Sequence, residues 1–517
     1  MDGPILAIDR DDARPLGAQL VEGIRRGILS GALAPGDPMP STRAFATELG
    51  VSRSSIVAAY EQLVGEGYLD ARQGAPTRVA ELEARLASEF SARPGGAADS
   101  RFRRPESAQD DSGHPVLNSL RSPETEVPRI DLTPGKPSTT RLDERAWRAA
   151  WRAVGASALP NDSPPPFGIA ALRAGIADHL RQARGLVCAA DDIVVTAGTA
   201  EALALVALAL AELAGRAPRV AVENPGYAGA RRTLERHGAT TVPVPVGPDG
   251  LDLGALARTR RLDAVMVTPS HQYPLGGRLP AAHRLDLLEL ARTRDLLVLE
   301  DDYDSEFRHT GAPLPALASL DRDDRTVLVG SFSKVLSPWL RIGYLVLPYR
   351  PALRAAVAAV RADSPPPVAG PVQQAVAELL ASGALRRHIA AARREYAHRR
   401  RLVEEALGGL SSTDSTRSGL FGLDGGLHAV LRLPDASAAT SLVDALAEAG
   451  IAVAPLADYS APVRDRAPGD PPADPPAGIV IGYAGVSDTA LAEALGRIRA
   501  LVSATRNADV DASDPRQ

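Results

Sequence analysis

Residues 330–344 read GSFSKVLSPWLRIGY, and Lys334 within them is one of only two lysines among 58 basic residues. Arginine therefore supplies nearly all of the ordinary positive charge of this chain. A guanidinium stays charged at any accessible pH, whereas a desolvated lysine amine can lose its proton and attack a carbonyl carbon. This stretch alone leaves two interpretations open: Lys334 is a nucleophile, or it is an exposed lysine in a loop.

Composition limits the possible classes of protein. The chain has 517 residues, enough for about two to four domains, and its net charge of -5 gives no global basic field. The single cysteine, Cys188, excludes a disulfide framework and a cysteine-based zinc cluster, and the nine histidines form no HExxH pair, so we expect no metal site. Neither a signal peptide nor a membrane-spanning run is recognisable. We therefore expect a cytoplasmic protein without a membrane partner.

Changes in composition along the chain predict its domains. Mixed-charge sequence rich in Pro, Ser and Gly separates two compactly patterned regions and is typical of a linker. The second region divides into a large part, about 129–380, and a small part, about 381–505. The predicted order is a first domain at 10–82, a linker at 83–128, a second domain at 129–505 and a disordered tail at 506–517.

The first region contains the pattern of a helix-turn-helix. A helix opens at Pro40 and Ser41, Gly50 interrupts it, and a second helix follows Ser52 with apolar residues recurring on one face. GYLDARQGAPTRVA then alternates like the hairpin of a wing. We expect DNA contacts from Ser41, Arg43, Ser52, Arg53, Ser54, Ser55 and Arg72.

Charge weakens the DNA interpretation for a single copy of this region. Residues 1–80 contain 8 Arg against 10 Asp and Glu, so the electrostatic attraction of one copy to DNA is low. A dimer that presents two copies would compensate. The alternative is a helix pair that mediates only protein contacts.

The second region alternates short apolar runs with helical segments, which predicts an α/β domain with a largely parallel sheet. The predicted strands are DIVVT (192–196), RVAVE (219–223), DAVMVT (263–268), LLVLED (296–301) and TVLVG (326–330). Open α/β sheets bind ligands beyond the carboxyl ends of their strands. The segments that follow these strands should therefore converge on one crevice.

Together these segments carry the groups that pyridoxal phosphate requires: an amine, an acid for the ring nitrogen, an aromatic face and a phosphate site. Each residue also has an ordinary alternative as a loop acid, a core aromatic or a turn residue. The predicted roles are the amine for Lys334, the ring nitrogen for Asp301, the phenolic oxygen for Tyr303, stacking for Tyr227, and phosphate binding for Gly198, Thr199, Ala200, Ser331, Ser333 and Arg341.

Specific motifs connect both regions to known families. PL at 15–16, QL at 19–20, GALAPG from Gly31, PSTR at 40 and VSR at 51 resemble the winged helix-turn-helix of GntR-type regulators. VENPGY, VTPSHQYPLGG, LEDDYDSEFR and GSFSKVLSPWLRIGY resemble fold-type I aminotransferases. The whole chain resembles the MocR/GabR subfamily of GntR regulators, in which the two are fused.

The resemblance implies a function and further site residues. It implies that Lys334 is the Schiff-base lysine, and that His271 and Gln272 stand near the usual place of an asparagine in aminotransferases. It also implies a homodimer that binds operator DNA and senses pyridoxal phosphate, or an amino compound that reacts with it. The alternative is a working aminotransferase with an incidental N-terminal domain.

Overall fold

The structure is a computed structural model of the chain. It describes residues 19–21, 24, 28, 33, 36–65, 69–70, 76–79, 129–309, 316–410, 419–461 and 476–512. The predicted linker at 83–128 and the predicted DNA contact Arg72 lie outside these residues. Two compact units are present, one formed by residues up to Arg129 with Ser487–Thr489 and the other by the rest of the chain.

The first unit contains the predicted winged helix-turn-helix. Its elements are α1 (Thr42–Leu49), α2 (Arg53–Gly65), β1 (Leu69–Asp70) and β2 (Arg78–Val79), with β1 antiparallel to β2. Ser41 caps α1 by accepting a hydrogen bond from Ala44 N-H. Gly50 ends α1 in the left-handed region, at a φ of 62°, where a side chain would be disfavoured.

Apolar contacts between these elements form a separate small core. Phe45, Ile56 and Leu63 are fully buried, as the one-sided pattern of the second helix predicts. The Tyr60 hydroxyl, on the same face, donates to Pro40 O at 2.9 Å. The two helices are therefore fixed against each other, with their polar faces outward.

The second unit begins with β3 (Ile130–Asp131) and alternates helices and strands. Its strands continue as β4 (Ile193–Thr196), β5 (Arg219–Asn224), β6 (Thr240–Gly247), β7 (Gly250–Leu251), β8 (Ala264–Val267), β9 (Leu297–Asp302), β10 (Thr326–Ser331), β11 (Gly343–Val346), β12 (Gly419–Phe421), β13 (His428–Arg432), β14 (Ile451–Ala452), β15 (Ala454–Pro455) and β16 (Gly478–Gly482). Its helices are α3 (Glu144–Ala156), α4 (Ala170–Arg184), α5 (Thr199–Ala214), α6 (Ala228–Arg236), α7 (Leu253–Arg258), α8 (Ala281–Arg294), α9 (Pro351–Asp363), α10 (Gly370–Ala381), α11 (Ala384–Leu407), α12 (Ala436–Glu448) and α13 (Asp488–Ala512).

One eight-stranded sheet organises the large part of this unit, in the order β4-β11-β10-β9-β8-β5-β6-β7. The five strands predicted from the sequence are all present, and β5, β8, β9 and β10 run parallel to their neighbours in this set. The prediction missed β11, which runs antiparallel between β4 and β10. The α/β class is confirmed.

Helix α5 packs against the large sheet. Its sequence TAEALALVALALAELA is apolar on nearly every side, and seven of its residues are buried between the sheet and neighbouring helices. A second apolar cluster lies around β8, β9 and α8. The described part of the chain contains no helix with the length and hydrophobicity needed to cross a membrane.

A smaller sheet, in the order β12-β13-β16-β15, forms the C-terminal part, and β3 pairs in parallel with β14 beside it. Residues 130–131, which start the predicted large part, therefore pair with a strand of the small part. Helix α13 runs to Ala512, so residues 506–512 are helical rather than the disordered tail that we predicted. RNADVDA contains neither Gly nor Pro, and nothing in it interrupts the helix.

Candidate functional site

The predicted amine, Lys334, follows β10 at the carboxyl end of the large sheet. Its Nζ donates to Gly135 O at 2.7 Å. Burial lowers the pKa of Lys334, and the carboxylates of Asp304 and Asp301 oppose this shift. The amine is thus largely removed from water and has acidic groups close by.

Asp301, the predicted partner of the ring nitrogen, is the last but one residue of β9. Burial raises the pKa of Asp301 to about 8, helped by the charges of Asp302, Glu223 and Asp304 and opposed by Lys334. Its Oδ1 is buried and has no hydrogen-bond partner among the described residues. A buried acceptor without a donor is costly, and a protonated ring nitrogen is a suitable donor.

Tyr303 and His271 form a connected group beside Asp301. The Tyr303 hydroxyl lies 3.0 Å from both the backbone O and the Nδ1 of His271, and Asp304 Oδ2 lies 2.9 Å from the same Nδ1. Burial lowers the pKa of His271, but the Asp304 carboxylate, together with Gly422 and Asp424, outweighs this effect and the net pKa is raised. The hydroxyl of Tyr303 is therefore held by His271, one of the two residues that the resemblance places near the usual asparagine.

His428 completes a set of possible metal ligands. Ligand atoms of His271, Asp304 and His428 lie within 4.8 Å of one another. The direct hydrogen bond between His271 and Asp304 already accounts for two of the three, and His428 Nε2 lies 2.9 Å from Pro274 O. The absence of a metal site stays a prediction.

Gln272 is 1% exposed and holds a loop. Its Nε2 donates to Pro225 O at 2.9 Å and to Tyr273 O at 2.7 Å. The same nitrogen lies 3.3 Å from Glu223, whose pKa burial raises to about 7. These contacts fix the segment between β5 and Tyr227. Glu223 is not among the predicted site residues, although it stands in the motif VENPGY.

Tyr227, the predicted stacking residue, remains 45% exposed at the end of this loop. Its ring packs edge-on against Tyr273, with centroids 6.0 Å apart. Tyr273 in turn packs against Tyr303, with centroids 5.5 Å apart. One aromatic face is therefore available at the opening of the crevice.

Four of the six predicted phosphate residues, Gly198, Thr199, Ala200 and Arg341, lie at the turn between β4 and α5. Gly198 caps α5 at a φ of 85° and has no side chain to occupy the first N-H groups, which belong to Thr199 and Ala200. Arg341 Nη2 donates to Ala197 O at 3.1 Å, which places the guanidinium beside this turn. After β10, Ser331 Oγ accepts from Ser333 N-H at 3.1 Å.

The segment TPGKPSTT (133–140) is ordered beside Lys334. Lys136 forms an ion pair with Asp131, and Asp131 also accepts from the N-H and hydroxyl of Thr133. Leu132 O accepts from Gly482 N-H at 2.7 Å. Sequence reasoning missed this contact because it joins segments far apart in the chain.

The predicted DNA-contacting residues that the structure describes are exposed or, for Ser55, half-buried, and they are Ser41, Arg43, Ser52, Arg53, Ser54 and Ser55. Arg53 starts α2, and its Nε donates weakly to Thr42 Oγ1 at 3.4 Å. Ser52 Oγ accepts from Ser55 N-H at 3.1 Å and lies 2.8 Å from the hydroxyl of Ser54. The start of a helix with several short polar side chains suits phosphate and base contacts.

Both units match models of known protein families. Residues 16–79 match the family model "Bacterial regulatory proteins, gntR family", and residues 128–498 match "Aminotransferase class I and II". The chain belongs to the MocR-type GntR regulators. As in other MocR-type regulators, a helix-turn-helix domain is joined to an aminotransferase-like domain, and the class I and II fold implies binding of pyridoxal phosphate.

Two similar curated proteins are transcriptional regulators of this type. The HTH-type pyridoxine biosynthesis transcriptional regulator PdxR of Corynebacterium glutamicum is 40% identical over 88% of this chain and 91% of its own length. The probable rhizopine catabolism regulatory protein MocR of Rhizobium meliloti is 31% identical over 96% of this chain and 95% of its own. The chain is accordingly a transcriptional regulator.

Solved structures similar to the second unit include aminotransferases. The α-aminoadipate aminotransferase LysN of Thermus thermophilus, complexed with N-(5'-phosphopyridoxyl)-L-leucine, has a TM-score of 0.62 and 25% identity, covering 73% of this chain and 93% of that one. An archaeal alanine:glyoxylate aminotransferase gives a TM-score of 0.64 at 22% identity, covering 72% of this chain and 91% of that one. The fold-type I prediction is confirmed.

Proposed function

We propose that this MocR-type regulator binds pyridoxal phosphate at Lys334 and that the cofactor is itself the effector that changes operator binding. The supporting observation is the pairing of a desolvated amine, Lys334, with a buried Asp301 oxygen that lacks a donor. Pyridoxal phosphate supplies an aldehyde that condenses with an amine and a ring that withdraws electrons.

The residues of the site would act on the bound cofactor as follows. Asp301 would accept a hydrogen bond from the protonated ring nitrogen, keep that nitrogen protonated and fix the ring in the crevice. Tyr303 would turn its hydroxyl proton from the backbone O of His271 to the phenolic oxygen, and Tyr227 would cover the open face. The N-terminal N-H groups of α5 and the guanidinium of Arg341 bind the phosphate.

The name of the PdxR relative supports a narrower proposal: the regulated process is the synthesis of pyridoxine-related compounds. We further propose that the protein is cytoplasmic and forms a homodimer. The homodimer is proposed because the first region has fewer basic than acidic residues, so one copy would bind DNA weakly. A ligand can change DNA binding only by its differential affinity for two states of the protein.

A titration tests these proposals. A fluorescent fragment that contains the region upstream of the gene is titrated with the protein, with and without pyridoxal phosphate. We expect sequence-selective binding whose affinity changes with the cofactor and no longer changes in Lys334→Arg. Turnover of an amino acid with a keto acid, without selective DNA binding, would instead favour a working aminotransferase.

A further inference from the structure

An ion pair lies directly behind the turn between β4 and α5. Arg361 Nη2, from α9, lies 2.7 Å from Oε1 of Glu201, in the first turn of α5. The other oxygen of Glu201, Oε2, accepts from Ala197 N-H at 2.9 Å, and Arg361 Nη2 also donates to Val195 O at 3.3 Å. The pair is thus bonded to the end of β4 and to the start of the turn that leads to Gly198.

Burial of Arg361 at this position costs folding free energy. Its side chain is 1% exposed, and its Nε and Nη1 have no hydrogen-bond partner among the residues that the structure describes. A buried guanidinium with two unpaired nitrogens costs free energy, and a well-packed apolar side chain is often at least as stable in such a place. Stabilisation of the fold is therefore a weak explanation for Arg361.

The charge of Glu201 provides a better explanation. A carboxylate in the first turn stabilises a helix, but it also opposes the binding of a second anion at the same N-H groups. The only ion pair within 4.0 Å that the described residues give Glu201 is the one with Arg361. With Glu201 neutralised, Arg341 and the N-terminus of α5 present uncompensated positive charge at the turn.

We propose that Arg361 is a positioning residue for the cofactor phosphate: it neutralises Glu201 and anchors the carboxyl group that holds the Ala197–Gly198 turn. The inference rests on the proposed function, because it takes this turn as the phosphate site. Arg361 would then act through Glu201, and this buried pair would set the preference of the site for phosphorylated ligands.

The experiment compares two non-covalent ligands that differ only in the phosphate, pyridoxamine phosphate and pyridoxamine. Their dissociation constants are measured by calorimetry on the full chain, and their ratio is the phosphate preference. Arg361→Met keeps the approximate volume but removes the counter-charge of Glu201, whose pKa burial already raises. At a pH above that pKa, the preference should fall about three- to tenfold. Glu201→Gln keeps an acceptor for Ala197 N-H and should keep or raise the preference. The double variant should return to the wild-type value.

Arg354→Met is the matched control, because Arg354 lies in the same helix and pairs with Asp192 before the opposite end of β4, at 2.6 Å. It should leave the preference unchanged. An unchanged preference in Arg361→Met, or one as low in the double variant as in Arg361→Met, would overturn the proposal. If Arg361→Met does not fold, a threefold fall of the phosphate preference in Glu201→Gln would likewise overturn the proposal. A wild-type protein without any phosphate preference would refute the site itself, and this inference with it.

Discussion

The amine of Lys334 lies 2.7 Å from the carbonyl oxygen of Gly135, a residue 199 positions earlier in the chain. Gly135 adopts a φ of 95°, and a Cβ added there would lie 2.8 Å from Nζ of Lys334. The first segment of the second unit therefore contacts the amine of the lysine, while the backbone of the lysine follows β10. Any group that engages the amine has to compete with this carbonyl.

Replacement of Lys334 tests the covalent site. Borohydride reduction with equimolar pyridoxal phosphate should label one peptide, the one that contains Lys334, because only this lysine is desolvated between Asp301 and Asp304. Lys334→Arg keeps the charge but cannot condense with an aldehyde, so it should take up no label and keep its fold by circular dichroism. Lys136 is the internal control. A label on Lys136 alone would contradict the assignment.

Replacement of Gly135 tests the contact between its carbonyl and Lys334. Gly135→Ala would push a methyl group against the amine, so the labelling rate at Lys334 should fall at least about threefold. Gly238→Ala is the matched control, because Gly238 has a φ of 86° and nothing within 4 Å of the added Cβ. Both variants should lose about 1 kcal/mol of stability from backbone strain. Equal labelling rates in the two variants would exclude a role for Gly135.

The sequence predicts those parts of the fold and site that depend on local pattern. Apolar runs followed by polar or glycine-rich tips indicate β4, β5, β8, β9 and β10, and each tip carries a residue that the structure brings to the crevice. The cap at Ser41 and the break at Gly50 are likewise local signals. Predicted helices and strands agree with the structure where neighbours in sequence decide the conformation.

The missed features depend on distant contacts. Strand β11 begins at the last two residues of the Lys334 motif, and its insertion between β4 and β10 depends on pairing with both. Asp131 and Lys136 are an ordinary acid and base in the sequence, and only the packing of their segment against β16 orders them beside Lys334. The role of Arg361 likewise depends on a contact with Glu201, 160 residues away by number, that no local pattern indicates.

Removal of the Arg341 guanidinium tests the phosphate site. Arg341→Ala should weaken retention of pyridoxal phosphate by about 1.5–3 kcal/mol, the scale of a charge-assisted hydrogen bond. The affinity for pyridoxamine, which lacks the phosphate, should change little. Equilibrium dialysis of both ligands measures the two effects. Equal losses for both would place Arg341 outside the phosphate site.

The raised pKa of Asp301 predicts how the stability of the ligand-free protein depends on pH. Burial raises the pKa of Asp301 from 3.8 to about 8, so between these values the folded protein keeps a proton that the unfolded chain has released. Stability should therefore fall as the pH rises through this range, by at most about 1.4 kcal/mol per pH unit from this group. Asp301→Asn cannot ionise. Unfolding midpoints between pH 5 and 9 should thus decline less steeply in Asp301→Asn, and parallel curves would contradict the shift.

Arg53 tests the DNA surface of the first unit. Its side chain is exposed at the start of α2 and has only a weak hydrogen bond to Thr42, so it is free to reach a base or a phosphate. If Arg53 reads a base, Arg53→Ala should weaken binding to the selective upstream fragment by about 1–3 kcal/mol and reduce the discrimination against scrambled DNA. Arg148→Ala removes the same charge from an exposed i,i+4 pair in α3 and serves as the control. Cofactor labelling at Lys334 should be normal in both variants, because neither residue belongs to that site. An equal loss on selective and scrambled DNA would assign Arg53 to the phosphate backbone, and an unchanged titration would remove it from the interface.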